Sequence, residues 1–296
     1  METPRPKSPP SETRPQGCAV IIVSYHTGPC LMDCIRAALS EASAQEVVVV
    51  DNGNPPKVVT ALEEMAASEP RLALLTGHGN VGFGKACNLG AAATASPHLL
   101  LLNPDNVLQP GSLDGAMTLL GTRPDIALYT VRIENPDGSE QRGCRRNLMT
   151  PWTCLVEAFG LHKLGFKRIN LNHTPPPTAL TEVECISGSF MLFPRSFFDR
   201  IGGMDEDYFL HMEDVDVCLR TRKAGGGIWF DPAFSATHVQ GTSETTKLYI
   251  ERQKTKGGTL YFAKHFGGWA NPLVALVNTA LWARYALIAL RLGLKR

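Results

Sequence analysis

Net charge, paired cysteines and uninterrupted apolar runs are all scarce in this chain. Its 296 residues carry 29 Lys and Arg against 28 Asp and Glu, a net charge of +1 at pH 7. Such a balance supplies no long-range field for nucleic acid, so any basic surface must be local. Eight cysteines are present (Cys18, Cys30, Cys34, Cys87, Cys144, Cys154, Cys185 and Cys218), yet none are spaced as CxxC. That excludes the ligand spacing of a zinc knuckle or a redox dithiol. All eight read as reduced thiols of a cytosolic protein. Residues 1–16 are rich in Pro, Ser, Glu and Arg and hold no apolar segment, so they read as a disordered leader rather than a secretion signal. No stretch is a clean membrane span. The nearest candidate starts at Leu273, and Arg284 and Arg291 interrupt it.

What remains is globular in composition, 44% hydrophobic and 19% charged, and long enough for one large α/β domain or two small ones. Short apolar runs alternate with helical patterns in the first half. Strands are expected at 18–24, 47–50, 72–75 and 98–102, and helices near 29–40, 57–67 and 83–95. The run Val47-Val-Val-Val50 is continuous and β-branched, as in a strand covered on both faces. This order predicts a doubly wound parallel sheet. The second half is less regular. It suggests a hairpin over 132–146 turning at Asn135-Pro-Asp-Gly138, a strand over 183–193, and helices at 213–224 and 245–265.

The polar residues fall just past strand ends. Ser24, Asp51, Asn52 and Asn103-Pro-Asp105 each follow a strand's carboxyl end, which is where open α/β sheets bind ligands. Asp105 suits Mg²⁺ or Mn²⁺, which take oxygen ligands and tolerate one or two carboxylates plus substrate phosphates; the same triplet also makes an ordinary strand-ending turn. Glu213-Asp214-Val215-Asp216 opens a helix after the apolar Tyr208-Phe-Leu-His-Met212. Burial there would raise a carboxylate towards the range of a general base, although acids at a helix start also serve as plain dipole partners. His238 offers a nitrogen ligand in a polar loop, or a structural histidine. Asn80-Val-Gly-Phe-Gly-Lys-Ala-Cys-Asn88 is a Gly-rich approach to a helix that could face phosphate. It lacks both the Walker and the GxGxxG spacing. Arg142, Arg145 and Arg146 form a basic cluster that could meet an acceptor diphosphate or lie on a solvated hairpin face.

Taken in order, these pieces resemble the family 2 glycosyltransferases with the GT-A fold, especially the bacterial rhamnosyltransferase-like branch. The matching string is Val20-Ile-Ile-Val-Ser-Tyr25, Val48-Val-Val-Asp-Asn-Gly53, Asn80-Val-Gly-Phe-Gly84 with Asn88, Leu101-Leu-Asn-Pro-Asp105, Ser187-Gly-Ser189, Gly202-Gly-Met-Asp-Glu206, Phe209-Leu-His-Met-Glu-Asp-Val-Asp216 with Leu219-Arg220, and His238. It covers about residues 17–243. The resemblance implies a Rossmann-like α/β domain for nucleotide-diphospho-sugar transfer, followed by a C-terminal helical extension over 244–296. It implies that Asp51 contacts a pyrimidine base, that Ser24, Asn52, Asn80, Gly82, Asn88 and Asn103 serve the nucleotide sugar, and that Asp105 and His238 bind Mg²⁺ or Mn²⁺. Asn103 stands where a two-carboxylate clamp would have its first acid. Asp214, with Glu213 beside it, would be the base of an inverting displacement, and Ser187 and Gly188 would shape the acceptor pocket. Lys85 is a further candidate for the leaving diphosphate, against its reading as a surface lysine. Arg145 and Arg146 are the acceptor-diphosphate candidates.

Donor sugars carried on dTDP or UDP fit these motifs, with L-rhamnose suggested by the branch. The acceptor would be a polyprenyl-diphosphate-linked or polysaccharide hydroxyl in cell-surface glycan assembly, at the cytoplasmic face of the inner membrane. From Leu273 the tail is apolar, with Trp282 and Tyr285, and Arg284, Arg291 and Lys295 recur at helical spacing. Residues 273–296 therefore suit either an anionic bilayer surface or packing on protein. Two other functions compete. One is a nucleotide-sugar-binding scaffold without turnover, which the presence of Asp105, Asp214 and His238 disfavours. The other is a nucleotidyltransferase, which wants a Gly-rich basic signature after the first strand that Val20–Gly28 lacks.

Overall fold

The computed structural model describes residues 17–239 and 246–293. The expected leader, the end of the His238 loop at 240–243, and Lys295 and Arg296 lie outside them. In chain order the elements are β1 (Cys18–Ser24), α1 (Cys30–Ser40), β2 (Ala44–Asp51), α2 (Pro56–Ser68), β3 (Leu72–Leu75), α3 (Phe83–Ala92), β4 (His98–Leu102), β5 (Asn106–Leu108), α4 (Ser112–Thr122), β6 (Ile126–Glu134), β7 (Arg145–Arg146), α5 (Pro151–Ala158), β8 (Thr181–Glu182), β9 (Cys185–Ile186), β10 (Phe190–Pro194), α6 (Arg195–Arg200), α7 (Glu213–Lys223), β11 (Gly227–His238), α8 (Lys247–Phe266) and α9 (Pro272–Gly293).

The main sheet runs β3-β2-β1-β4-β10-β6-β11-β5, with β8 added on β11. Val20 to Ile22 and Val47 to Val50 are at most 1% exposed, which is why these strands read as unbroken apolar runs. Parallel register sets Ser24 beside Asp51 and Ile22 beside Leu102, so three strand ends reach one rim. Close packing of α3 on this half depends on Gly90, where a Cβ would lie 2.4 Å from Ile21.

The sheet is mixed, not wholly parallel. β10 runs antiparallel between β4 and β6, with Phe190 opposite Leu102. The chain reaches β10 from the rim, so it has to run back down the sheet. The expected strand over 183–193 is accordingly broken at Ser187–Ser189: β9 pairs with β7 in a separate ribbon, whereas β10 joins the main sheet. The expected hairpin keeps its turn, where the Gly138 N–H donates to the Asn135 carbonyl at 2.9 Å. Its pairing, however, is confined to a bridge between Glu134 and Glu140, because Arg145 and Arg146 pair with β9 instead.

Helix α4 was not among the elements expected from sequence. Its first turn is held by a distant acid: Glu41, 2% exposed, accepts from the N–H groups of Gly111 (2.7 Å), Leu113 (2.8 Å) and Asp114 (3.0 Å). A carboxylate satisfying three orphan donors at a helix start is a strong cap. Glu41→Ala should lower unfolding stability by about 2–3 kcal/mol, read from the denaturant midpoint at unchanged slope; a loss within error would mean that water replaces the cap.

The tail folds back as a helical hairpin. Helix α9 packs on α8 and buries Val274, Val277 and Asn278, and the Arg284 guanidinium meets Glu251 of α8 at 2.5 Å. Arg284 thus pairs within the protein rather than joining a free basic stripe. By length and composition α9 could also cross a membrane.

Candidate active site

A cleft of about 430 Å³ opens on the rim of the sheet. Of the residues singled out from sequence, Asn52, Asn80, Gly82, Asn103, Asp105, Ser187, Gly188, Glu213, Asp214 and His238 line it. They come from six stretches of chain that the topology gathers. Asn52 follows β2, Asn103 and Asp105 follow β4, and His238 ends β11, beside β5. Asn52 donates to the Gly82 carbonyl at 3.1 Å, fixing the Asn80–Gly82 loop. Gly82 has φ 88° and a Cβ there would meet the Phe209 carbonyl at 2.7 Å, so only glycine lets this loop pass the 209–212 segment.

The His238 Nε2 lies 2.9 Å from an Asp105 carboxylate oxygen. On the far side of the ring Nδ1 is 2.7 Å from the Gln141 Oε1. The Gln141 amide is oriented by its NH₂ group, which donates to Asn135 Oδ1 and the His238 carbonyl, so its oxygen faces Nδ1 and takes that proton. The nitrogen left to bind a proton or a cation therefore points at the carboxylate, the arrangement of a metal-ligating histidine oriented from behind. Asn103 Nδ2 is 3.5 Å from the same nitrogen. Among the described residues no third His, Cys, Asp or Glu joins them. One carboxylate, one imidazole and one amide do not make a closed cage. They fit a divalent cation whose coordination substrate phosphates complete.

Across the cleft, α7 starts from Met212 in the left-handed region (φ 77°). Asp214 is held on three sides: Oδ2 accepts from Arg146 at 2.5 Å and from the Gly188 N–H at 3.3 Å, and Oδ1 from the Val215 N–H at 2.8 Å. A Cβ on Gly188 would stand 3.1 Å from that of Asp214. The loop after β9 therefore takes its shape from Asp214 at one end. At the other end the Ser189 carbonyl accepts from the Asn103 N–H and the Asn106 amide. Burial pushes the Asp214 carboxyl up, but the Arg146 charge and these hydrogen bonds outweigh it and hold the group below the usual carboxylate range. Glu213 behaves oppositely. Burial, then the Asp214 charge, pushes it up to about 8, and its Oε2 has no hydrogen-bond partner among the described residues. An apolar approach does raise one acid of this pair, but it is Glu213 and not Asp214. Beside them the His211 ring, which lines the cleft, is pushed down to about 4 by burial and then by Lys254.

Six residues expected at the site do not line the cleft. Ser24 is fully buried and bonds Thr27 and Asn54. Asp51 spends its carboxylate on the N–H groups of Gly53 and Asn54, the Asn54 amide and the Thr76 hydroxyl. Both shape the turn beneath Asn52. Lys85 is half exposed and faces Glu206 at 3.8 Å. Asn88 exchanges hydrogen bonds with the Met204 backbone, tying α3 to the Gly202-Gly-Met segment. Arg145 is 4% exposed and paired with Glu140 at 2.9 Å. Arg146 acts behind the cleft on Asp214, so it is not placed for an acceptor diphosphate. Arg142 is the member of the basic cluster that does line the cleft. Tyr25, Gln141, His211, Tyr249 and Ile250 line it too. Tyr249 and Ile250 come from α8, so the helical extension closes one wall.

Residues 15–258 match the family described as "Glycosyltransferase like family 2". The chain is 27% identical over 281 residues to the N-acetylglucosaminyl-diphospho-decaprenol L-rhamnosyltransferase of Mycobacterium tuberculosis, covering 86% of this chain and 87% of that one. It is 25% identical over 244 residues to the rhamnosyltransferase WbbL of Escherichia coli strain K12, covering 74% and 82%. Its fold is similar to that of GalNAc-T7, solved with UDP, GalNAc and Mn²⁺ (TM-score 0.62, 14% identity, 93% of this chain and 55% of that one). It is also similar to the mannosyltransferase PcManGT from Pyrobaculum calidifontis, solved with GDP-Man and Mn²⁺ (TM-score 0.58, 16% identity, 98% and 84%). With the family match spanning most of its length and a mixed α/β sheet similar to those of GT-A transferases, the chain belongs to the family-2-like glycosyltransferases and is a sugar-transferring enzyme of the GT-A fold.

Proposed function

We propose that the chain is an inverting, metal-dependent transferase. It would move L-rhamnose from dTDP-rhamnose to a hydroxyl of a polyprenyl-diphosphate-linked or polysaccharide acceptor, in cell-surface glycan assembly. The sugar and the lipid diphosphate are those of the mycobacterial relative's name. The observation that carries the reading is one cleft with an ionised, three-point-held Asp214 on one wall and the Asp105–His238 pair on another.

The nucleotide rests on the wall of Asn52, Asn80 and Gly82, which the buried turn of Ser24 and Asp51 supports. Asp105 and His238, with Asn103, would hold Mg²⁺ or Mn²⁺, which would offset the negative charge of the leaving diphosphate. Asp214 receives the acceptor hydroxyl's proton. Its low affinity for protons is no obstacle, because the attacking oxygen becomes acidic only as its bond to the anomeric carbon forms. Arg146 and the Gly188 N–H aim the carboxylate, and Ser187 and Gly188 border the acceptor side. Arg142 offers a guanidinium to an acceptor diphosphate. The enzyme works at the cytoplasmic face of the membrane that holds such lipids, with residues 273–296 touching its surface.

A thermal-shift panel of nucleotide sugars in Mn²⁺ tests the donor. A ligand at a hundred times its Kd adds about 2.7 kcal/mol of apparent stability, so dTDP-rhamnose should raise the melting temperature more than UDP- or GDP-sugars. A larger shift with GDP-mannose would refute the donor assignment.

A further inference from the structure

The segment after β7 carries an exposed apolar cluster that the transfer chemistry does not use. Helix α5 buries Pro151, Leu155 and Val156, while Trp152 is 49% and Phe159 67% exposed. Phe159 caps the helix about two turns beyond Trp152. The short 3₁₀ turn Leu161–Leu164 follows, with Leu164 74% and Phe166 45% exposed, and the rings of Trp152 and Phe166 meet edge to face at 5.6 Å. Four large apolar side chains exposed within fifteen residues form a patch, not scattered surface leucines. Lys163, Lys167 and Arg168 are interleaved with them; Arg168 pairs with Glu157 at 3.5 Å, whereas Lys167, 77% exposed, makes only a 3.9 Å contact with Glu184.

Helix α5 packs against α9, whose own exposed leucines, Leu273, Leu276, Leu287 and Leu290, fall on one side at 3.6 residues per turn, away from the packed Val274 and Val277. No acid follows Glu251 in the sequence. Two neighbouring elements thus offer apolar side chains set among cations. Aromatic rings with interleaved lysines match the headgroup region of an anionic bilayer. The Arg284–Glu251 pair clamps the middle of α9 to the second turn of α8, a helix that also carries Arg252, Lys254 and Lys256. That favours α9 lying on the membrane over crossing it.

We infer that residues 152–168 form a second membrane contact, which with α9 docks the enzyme on an anionic lipid surface. This rests on the membrane reading above but not on the donor or the acid–base roles. The patch begins six residues beyond Arg146, on a helix whose start Thr150 caps through the Thr153 N–H. The contact is therefore rigidly joined to the strand that positions Asp214, and docking fixes the cleft relative to the lipid surface.

Co-sedimentation of the full chain with vesicles tests this. Wild type should bind phosphatidylcholine vesicles containing phosphatidylglycerol and bind neutral ones less. Trp152→Ser with Phe159→Ser should cut the partition coefficient about tenfold. Lys163→Glu with Lys167→Gln, which gives up only the 3.9 Å contact of Lys167 with Glu184, should cut anionic binding by about fivefold or more per charge and spare neutral binding. Leu287→Ser with Leu290→Ser reads the tail separately. Wild-type binding by both patch variants, with loss in the tail variant, would overturn the second contact and leave the tail's membrane role standing. A dimer in light scattering that dissociates in the Trp152/Phe159 variant would overturn it in favour of a second copy. The donor-induced thermal shift, which all three variants should retain, shows separately whether the cleft reading holds.

Discussion

Asp214→Asn should lower turnover by about 10²–10⁴-fold while the donor still raises the melting temperature. The amide is nearly the same shape but cannot take a proton, and the nucleotide wall of Asn52, Asn80 and Gly82 is separate from α7. The variant should also be less stable, because the Arg146 guanidinium, only 14% exposed, loses its counter-charge. Unpairing a buried ion typically costs about 3–5 kcal/mol, so rates have to be compared at a temperature where both proteins are folded. A pH profile separates Asp214 from Glu213. A carboxyl held below its usual range is ionised, and useful as a base, down to unusually low pH; activity is lost only as the pH falls through that depressed value. Arg146→Gln removes the lowering charge while burial and Glu213 remain, so the acid limb of kcat/KM should move to higher pH. If that limb stays put while overall activity drops, Arg146 is merely structural and the proton goes elsewhere. A wild-type acid limb near pH 8 would instead point to Glu213 as the base.

Removing the divalent cation should stop transfer, and Mn²⁺ or Mg²⁺ should restore it. Leaving-group charge in a partly closed cleft is costly without a cation, and the described residues facing Asp105 and His238 include no lysine or arginine except Arg142 at the cleft edge. Asp105→Ala and His238→Ala should each cost about 10²–10³-fold, the range seen when one group opposing developing charge is lost. Gln141→Leu should weaken metal affinity by about 10–100-fold without touching the cation, because His238 loses the acceptor that fixes its tautomer. Full activity in chelator would end the metal assignment.

The first half of the fold is legible in the sequence because its strands are covered on both faces, and continuous apolar runs mark such strands. The mixed sheet was not legible. Nothing local in Phe190-Met-Leu-Phe193 tells an antiparallel strand from a parallel one; the direction follows from where the 187–189 loop enters. Residue type at strand ends located the cleft, but not which side chains reach it. Asp51 and Ser24 sit at the right rim, but both are tied into their own turn and neither lines the cleft. Asn88 belongs to the same motif as Gly82 and serves the scaffold, as does Arg220, which donates to the Ile201 and Gly203 carbonyls. Gln141 carries no signal at all between Glu140 and Arg142, since a buried glutamine orienting a histidine 97 positions away is a purely tertiary relation. The sign of the Asp214 shift was unreadable for the same reason: Arg146 lies 68 positions away, and sequence alone offers it to an acceptor diphosphate or a solvated hairpin face, not to Asp214.

Mn²⁺ titration followed by electron paramagnetic resonance, with dTDP present, addresses the cleft most directly. Wild type and Asp214→Asn should remove free Mn²⁺ from solution alike, whereas Asp105→Ala and His238→Ala should leave it free. Wild-type binding by the Asp105 and His238 variants would contradict the account, since the carboxylate and imidazole that face each other would then hold no ion.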